Sequence, residues 1–182
     1  MRKLMIETAI LQLDENELAE VDRKLIAAAQ DASQHAYAPY SNFFVGAAVL
    51  LADGRVIQGA NQENAAFPSG MCAERSAIFA AQSAYPSLAI EAIAIAARNS
   101  KGFVSAPVPP CGACRQVMLE IENRYGKAMR ILLYGTSCIY QIDSAKTLLP
   151  LSFINESMER KGVGTLMHLT LYYIYKSIEG KE

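Results

Sequence analysis

The chain has 182 residues, of which 52% are apolar and 19% charged, and its formal net charge is −1. That length suits one domain with a continuous core. The balance excludes a polyphosphate partner by its usual signature: nucleic-acid binders carry a basic stripe, whereas Lys and Arg here cluster only as Arg2-Lys3, Arg23-Lys24 and Arg160-Lys161. A small neutral ligand fits better.

The chain opens MRKLMIETAILQLDENE, a basic start with short apolar pieces broken by Glu7 and Gln12. This is a poor signal peptide, and no stretch has the length of a membrane span, so a cytoplasmic protein with no membrane partner is expected. Its cysteines, Cys72, Cys111, Cys114 and Cys138, are then reduced. In that setting grouped cysteines point to metal or catalysis before disulfides.

Leu18 to Gln34 carries apolar residues at helical spacing and reads as a helix. Phe43 to Ala52 is rich in strand formers, Asp53-Gly54 is a hairpin turn, and Arg55 to Ala60 is the returning strand. Cys72 to Ala84 has good helix propensity. Ile90 to Ala97 (IEAIAIAA) is a nearly uniform apolar run, as in a strand buried on both faces. After a Pro-rich loop from Gly102 to Pro110, Cys111 to Tyr125 reads as a helix stopped by Gly126. Arg130 to Tyr134 and Cys138 to Ile142 complete the strands. The order α-β-β-α-β-α-β-β predicts a layered α/β domain with a mixed sheet.

Cys111 and Cys114 are three apart, on one face of a helix start that follows Pro109-Pro110. Cys72 opens another helix. Three thiolates at positive helix ends, with a fourth position open, make a catalytic zinc site; a closed structural site needs a fourth protein ligand. The open position holds a water whose pKa the metal lowers. Three thiolates and Zn²⁺ sum to −1, so Arg75 and Arg115 are candidates to hydrogen-bond the sulfurs and offset that charge, Arg75 the better placed. Glu74, two residues past a ligand, can carry protons near the metal without binding it.

Together, Cys72-Ala73-Glu74 and Pro110-Cys111-Gly112-Ala113-Cys114 resemble the signature of the zinc nucleobase and nucleoside deaminases. The flanking stretches YAPYSNFFVGAAVL, NQENAAF, CAERSAIF, PPCGACRQV and LLPLSF narrow it. They are similar to the small, homotetrameric type of cytidine deaminase, over roughly residues 20 to 155.

The resemblance implies a three-layer α/β/α fold around a five-stranded mixed sheet. It implies one Zn²⁺ per chain on Cys72, Cys111 and Cys114, with Glu74 as the catalytic proton carrier. Asn61 and Glu63 match the pair that holds the ribose. Ala73 and Phe43 are placed with the substrate-binding residues, and Phe153 matches an aromatic supplied by a neighbouring chain. Glu63 is chemically apt, since a carboxylate accepts from sugar hydroxyls and repels phosphate. The implied reaction is hydrolytic deamination of cytidine or 2′-deoxycytidine in pyrimidine salvage.

Two features depart from the pattern. Phe67 stands where tyrosine is common, and the chain runs on past LLPLSF to Glu182. The expected organisation is therefore one domain over 1–156, with an N-terminal extension to about residue 16 and a C-terminal extension over 157–182. The extension includes an apolar, β-prone stretch at 166–178. Three alternatives stay open: deamination of another aminated nucleoside-like compound, a four-cysteine structural zinc site that recruits Cys138, and a non-catalytic zinc-stabilised binding module.

Overall fold

The computed structural model describes residues 1–158. Its elements are β1 (Leu11–Leu13), α1 (Glu20–Ala32), β2 (Phe44–Leu51), β3 (Val56–Ala60), α2 (Ala73–Ala84), β4 (Ile90–Asn99), β5 (Gly102–Phe103), α3 (Gly112–Tyr125), β6 (Arg130–Tyr134), β7 (Ile139–Ile142) and the single-turn α4 (Ala145–Leu148). Two units divide the chain, Met1–Pro150 and Leu151–Glu182.

In the first unit the strands form a mixed sheet in the order β1-β7-β6-β4-β2-β3, with β5 folded back onto β4. Only β4 and β6 run parallel, Ile93 lying opposite Ile131; every other pairing is antiparallel. All five strands read from the sequence form. The sheet has seven because β1 and β5 join it, so the expectation of five is too low. Both additions are short. β1 is three residues of the N-terminal extension laid along β7, and β5 is a Gly-Phe pair inside the segment read as loop.

The two faces of the sheet are covered separately. Ala48, Leu50, Ala92, Ala94, Ala96 and Leu132 pack with Leu25, Ile26 and Ala29 of α1. The small alanines let the helix approach, and Gly46 marks the closest point: a Cβ there would lie 2.0 Å from the Ala29 carbonyl oxygen. α2 crosses the opposite face, with α3 beside it. Here Gly59 is the point of contact, since an added Cβ would lie 2.3 Å from the Ala77 backbone nitrogen. The uniform run in β4 is explained by its place in the sheet: Ala92 to Ala97 are all buried, under α1 on one side and the α2 layer on the other.

α3 stops where Gly126 takes a left-handed conformation, φ 62°, as a helix-ending glycine can. One turn earlier, the buried Glu122 carboxylate accepts from the Met129 and Ala145 amides, both at 2.8 Å, and from the Ser144 hydroxyl at 2.8 Å. This ties α3 to the approach to β6 and to the start of α4. No helix among the described residues is long and apolar enough to cross a membrane.

The second unit is described through Met158. It contains a 3-10 turn at Asn155–Met158, and Phe153 is 63% exposed. The apolar stretch at 166–178 lies outside the described residues.

Candidate active site

Two helix starts build the centre of the site. Cys72 immediately precedes α2 with extended backbone (φ −73°, ψ 151°), and Cys111 does the same before α3 (φ −67°, ψ 166°). Cys114 lies in the first turn of α3 and is fully buried. The first amides of each helix have no intrahelical partner, so partial positive charge gathers where the sulfurs gather. The Cys72 and Cys111 sulfurs are 3.9 Å apart, those of Cys111 and Cys114 are 3.4 Å apart, and all three lie within 4.8 Å of one another. Zinc–sulfur bonds of about 2.3 Å in a tetrahedron place sulfurs about 3.8 Å apart, so the trio fits that ion in donor type and spacing.

Proton sharing within the trio is unequal. The hydrogen bond from Cys114, helped by Arg75 against the effect of burial, brings the Cys72 thiol down to about 5. The same Cys72–Cys114 hydrogen bond, with burial, pushes the Cys114 thiol up. Cys72 is therefore the member of the trio that gives up its proton most readily, and a divalent cation would displace the remaining protons. Arg75 donates from Nη2 to the Cys72 sulfur at 3.5 Å, so it sits where a charge-offsetting cation is needed. Arg115, the other candidate for that task, is turned elsewhere. Its Nε donates to the Pro110 carbonyl at 2.9 Å and its Nη1 to the Leu148 carbonyl at 2.8 Å.

Glu74 is the second residue of α2 and is only 5% exposed. Burial raises its carboxyl above the ordinary range, and the nearby Cys72 charge adds to the effect. A carboxyl that holds a proton more readily than usual is better suited to receive one and return it.

A cavity of about 500 Å³ opens over these groups. Cys72, Cys111, Ala73, Glu74 and Arg75 line it together with Asn61 and Glu63, while Val45, Ile95, Val108 and Pro109 give it apolar walls. Glu63 Oε2 accepts from the amides of Tyr40 (2.8 Å) and Ser41 (3.3 Å). Hydrogen bonding from the Ser41 side chain, then from these amides, keeps its carboxyl below the usual value despite some burial. Asn61 has a second task. Its Oδ1 accepts from the Val45 amide at 2.8 Å and its Nδ2 donates to the Phe43 carbonyl at 3.0 Å, which staples the start of β2. A carboxamide has two donor hydrogens and two acceptor lone pairs, so half of its capacity is left for a ligand.

Eight of the residues singled out in the sequence, Phe67 among them, thus share the cavity wall, with Cys114 buried behind the other two sulfurs. Phe43 is half-buried and is not part of the lining; its backbone, held by Asn61, is what touches the site residues. Phe153 belongs to the second unit. Sequence reasoning marked Phe67 only as a departure and passed over Tyr40; the two rings meet edge to face with centroids 5.8 Å apart and both line the cavity. Each is an aromatic in a polar loop, which is a signal, but nothing local says that the two loops meet.

The family model for the cytidine and deoxycytidylate deaminase zinc-binding region matches residues 19–127. The chain belongs to that family. A cytidine deaminase of Halalkalibacterium halodurans is 51% identical over 139 residues, spanning 76% of this chain and 98% of that protein. One from Sporosarcina psychrophila is 40% identical, over 74% of this chain and 93% of its own length. Among solved structures, the cytidine deaminase from Burkholderia pseudomallei superposes with a TM-score of 0.61 at 41% identity, covering 71% of this chain and 97% of that one. The cytidine deaminase fold therefore accounts for the mixed sheet with helices on both faces. The family's zinc-binding region also spans all three clustered cysteines.

Proposed function

We propose that the chain hydrolyses cytidine and 2′-deoxycytidine to the corresponding uridine and ammonia. The observation that carries this reading is the meeting of three sulfurs and a buried Glu74 carboxyl in one apolar-walled cavity. Cys72, Cys111 and Cys114 would hold one zinc ion per chain. When bound, zinc would supply Lewis-acid activation of the attacking water. Glu74 takes a proton from the attacking water and delivers it to the ring nitrogen beside the amino-bearing carbon. It then relays the second water proton to the departing amino group. One water is consumed, the carbon–nitrogen bond breaks and ammonia leaves.

Glu63 and Asn61 orient the sugar, Glu63 through its carboxylate and Asn61 through the donor and acceptor not used on β2. Ala73 completes the substrate contacts, Phe43 serves through the backbone carbonyl that holds Asn61, and Arg75 offsets the charge of the thiolates. In this reading residues 1–156 form the deaminase domain and 157–182 an appended segment. The enzyme works in the cytoplasm in pyrimidine salvage, as a homotetramer in which Phe153 of a neighbouring copy stacks on the base.

The test is direct. Zinc-loaded protein mixed with cytidine or deoxycytidine should show the ultraviolet absorbance loss of deamination, and the absence of turnover on both would refute the proposal.

A further inference from the structure

Cys111 is the exposed member of the sulfur trio, and the segment leading to it is poorly equipped to hold it. Pro109 and Pro110 have no amide hydrogen, so this stretch cannot be fixed by its own backbone donors. Cys114, by contrast, is locked into a helical turn and buried.

The Arg115 guanidinium supplies what the prolines lack. One arm reaches the Pro110 carbonyl, in the peptide unit that joins Pro110 to Cys111, and the other reaches the Leu148 carbonyl at the end of α4. α4 is itself a fixed point, because its first turn is held through Ser144 and Ala145 to Glu122. Arg115 and Glu122 both belong to α3, two helical turns apart, so α4 is fastened to α3 at both of its ends. Thr8 of the N-terminal segment adds a hydrogen bond to the Thr147 carbonyl at 3.1 Å. The guanidinium fork is rigid and planar, so a carbonyl held by one arm is placed relative to a carbonyl held by the other.

We infer that Arg115 is a positioning residue for the metal site: by holding the Pro110 carbonyl against the α3–α4 frame, it sets where Cys111 presents its sulfur. It touches neither metal nor substrate. The inference rests on the reading of the three cysteines as zinc ligands and adds a fourth residue on which their grip depends. Outer partners that orient ligands commonly change metal affinity about tenfold to a hundredfold when removed.

The experiment follows zinc release from purified zinc-loaded protein to a chromogenic chelator, with the melting temperature measured alongside. Arg115→Met should release zinc about tenfold faster or more, and Arg115→Lys, which keeps one donor arm, should fall between it and wild type. Ser144→Ala removes one tie at the start of α4 and leaves the Ala145 amide and both Arg115 arms in place; it should lower the melting temperature and accelerate release far less than Arg115→Met. Release from Arg115→Met within twofold of wild type would overturn the inference. So would equal acceleration by Ser144→Ala, which would reduce Arg115 to an anchor for α4. If Arg115→Met does not fold, Arg115→Lys decides by the same criterion, and failure of both to fold would assign the residue to folding and not to the site. Wild-type protein that retains no zinc would refute the metal assignment itself, a result visible before any variant is made.

Discussion

Glu74 and Glu63 are carboxylates in one cavity whose surroundings push them in opposite directions, and their expected behaviour follows. Glu74 is desolvated and keeps its proton more readily; removing the charge while keeping the shape should remove proton transfer alone. Glu74→Gln should lower turnover by about a hundredfold to ten-thousandfold while metal analysis still finds about one zinc per chain. Wild-type turnover in that variant would end the proton-carrier assignment. Glu63 is hydrogen-bonded in its charged form, so its folded-state pKa lies below the ordinary carboxylate value. Interactions of such a group are complete above its unfolded pKa and are lost only as pH falls through the lower folded value. The KM for cytidine should therefore stay flat, as far as Glu63 governs it, from neutrality to about pH 5 and rise only below about pH 4. A steep rise from Glu63 above about pH 5, absent in Glu63→Gln, would contradict its lowered pKa. Glu74 was legible in the sequence by its spacing from Cys72, and Glu63 only through the resemblance of its N-x-E stretch; both line the cavity. The Tyr40–Phe67 contact and the staple made by Asn61 were not legible there, since each depends on loops distant in sequence.

Among the elements, α2 carries the heaviest functional load, with Cys72 before it and Glu74 and Arg75 in its first turn. Its seat is Gly59 of β3. Gly59→Ala would force a methyl group against the Ala77 and Ala73 backbones, which cannot yield without moving the helix. Denaturant unfolding should show a loss of about 1–3 kcal/mol. Turnover should fall as well, because the displacement is passed to the residues at the helix start. Unchanged stability and activity would mean that α2 is less tightly seated than the geometry requires. Helix and strand positions here were readable from periodicity and from glycine and proline punctuation. Strand order was not: the parallel pairing of β4 with β6, and the addition of β1 outside β7, depend on nonlocal packing that no short window records.

For the whole molecule, the proposed sharing of sites predicts a homotetramer in light scattering, and a Phe153→Ala variant that folds and assembles but binds cytidine more weakly. A stable, fully active monomer would remove Phe153 from the site. The N-terminal extension enters at this scale too. β1 covers what would otherwise be the open edge of β7, and an uncovered edge invites pairing with other chains. Protein lacking residues 1–13 should therefore keep its zinc and aggregate more readily; an unaltered aggregation rate at elevated temperature would deny β1 that role.

The lone parallel pairing also gives the molecule a direction. α2 leads into β4 and α3 into β6, so parallel strands make the two helices point the same way. Their N-terminal ends, and with them all the proposed chemistry, fall at one end of the sheet, while their C-terminal ends fall at the other. β4 alone spans about 30 Å at the usual rise per residue. The exposed Pro86-Ser87 turn between α2 and β4 lies at that remote end. A reporter or affinity sequence spliced there would be a whole strand's length from the cysteines, which makes that turn the natural attachment point for labelling or immobilising the enzyme.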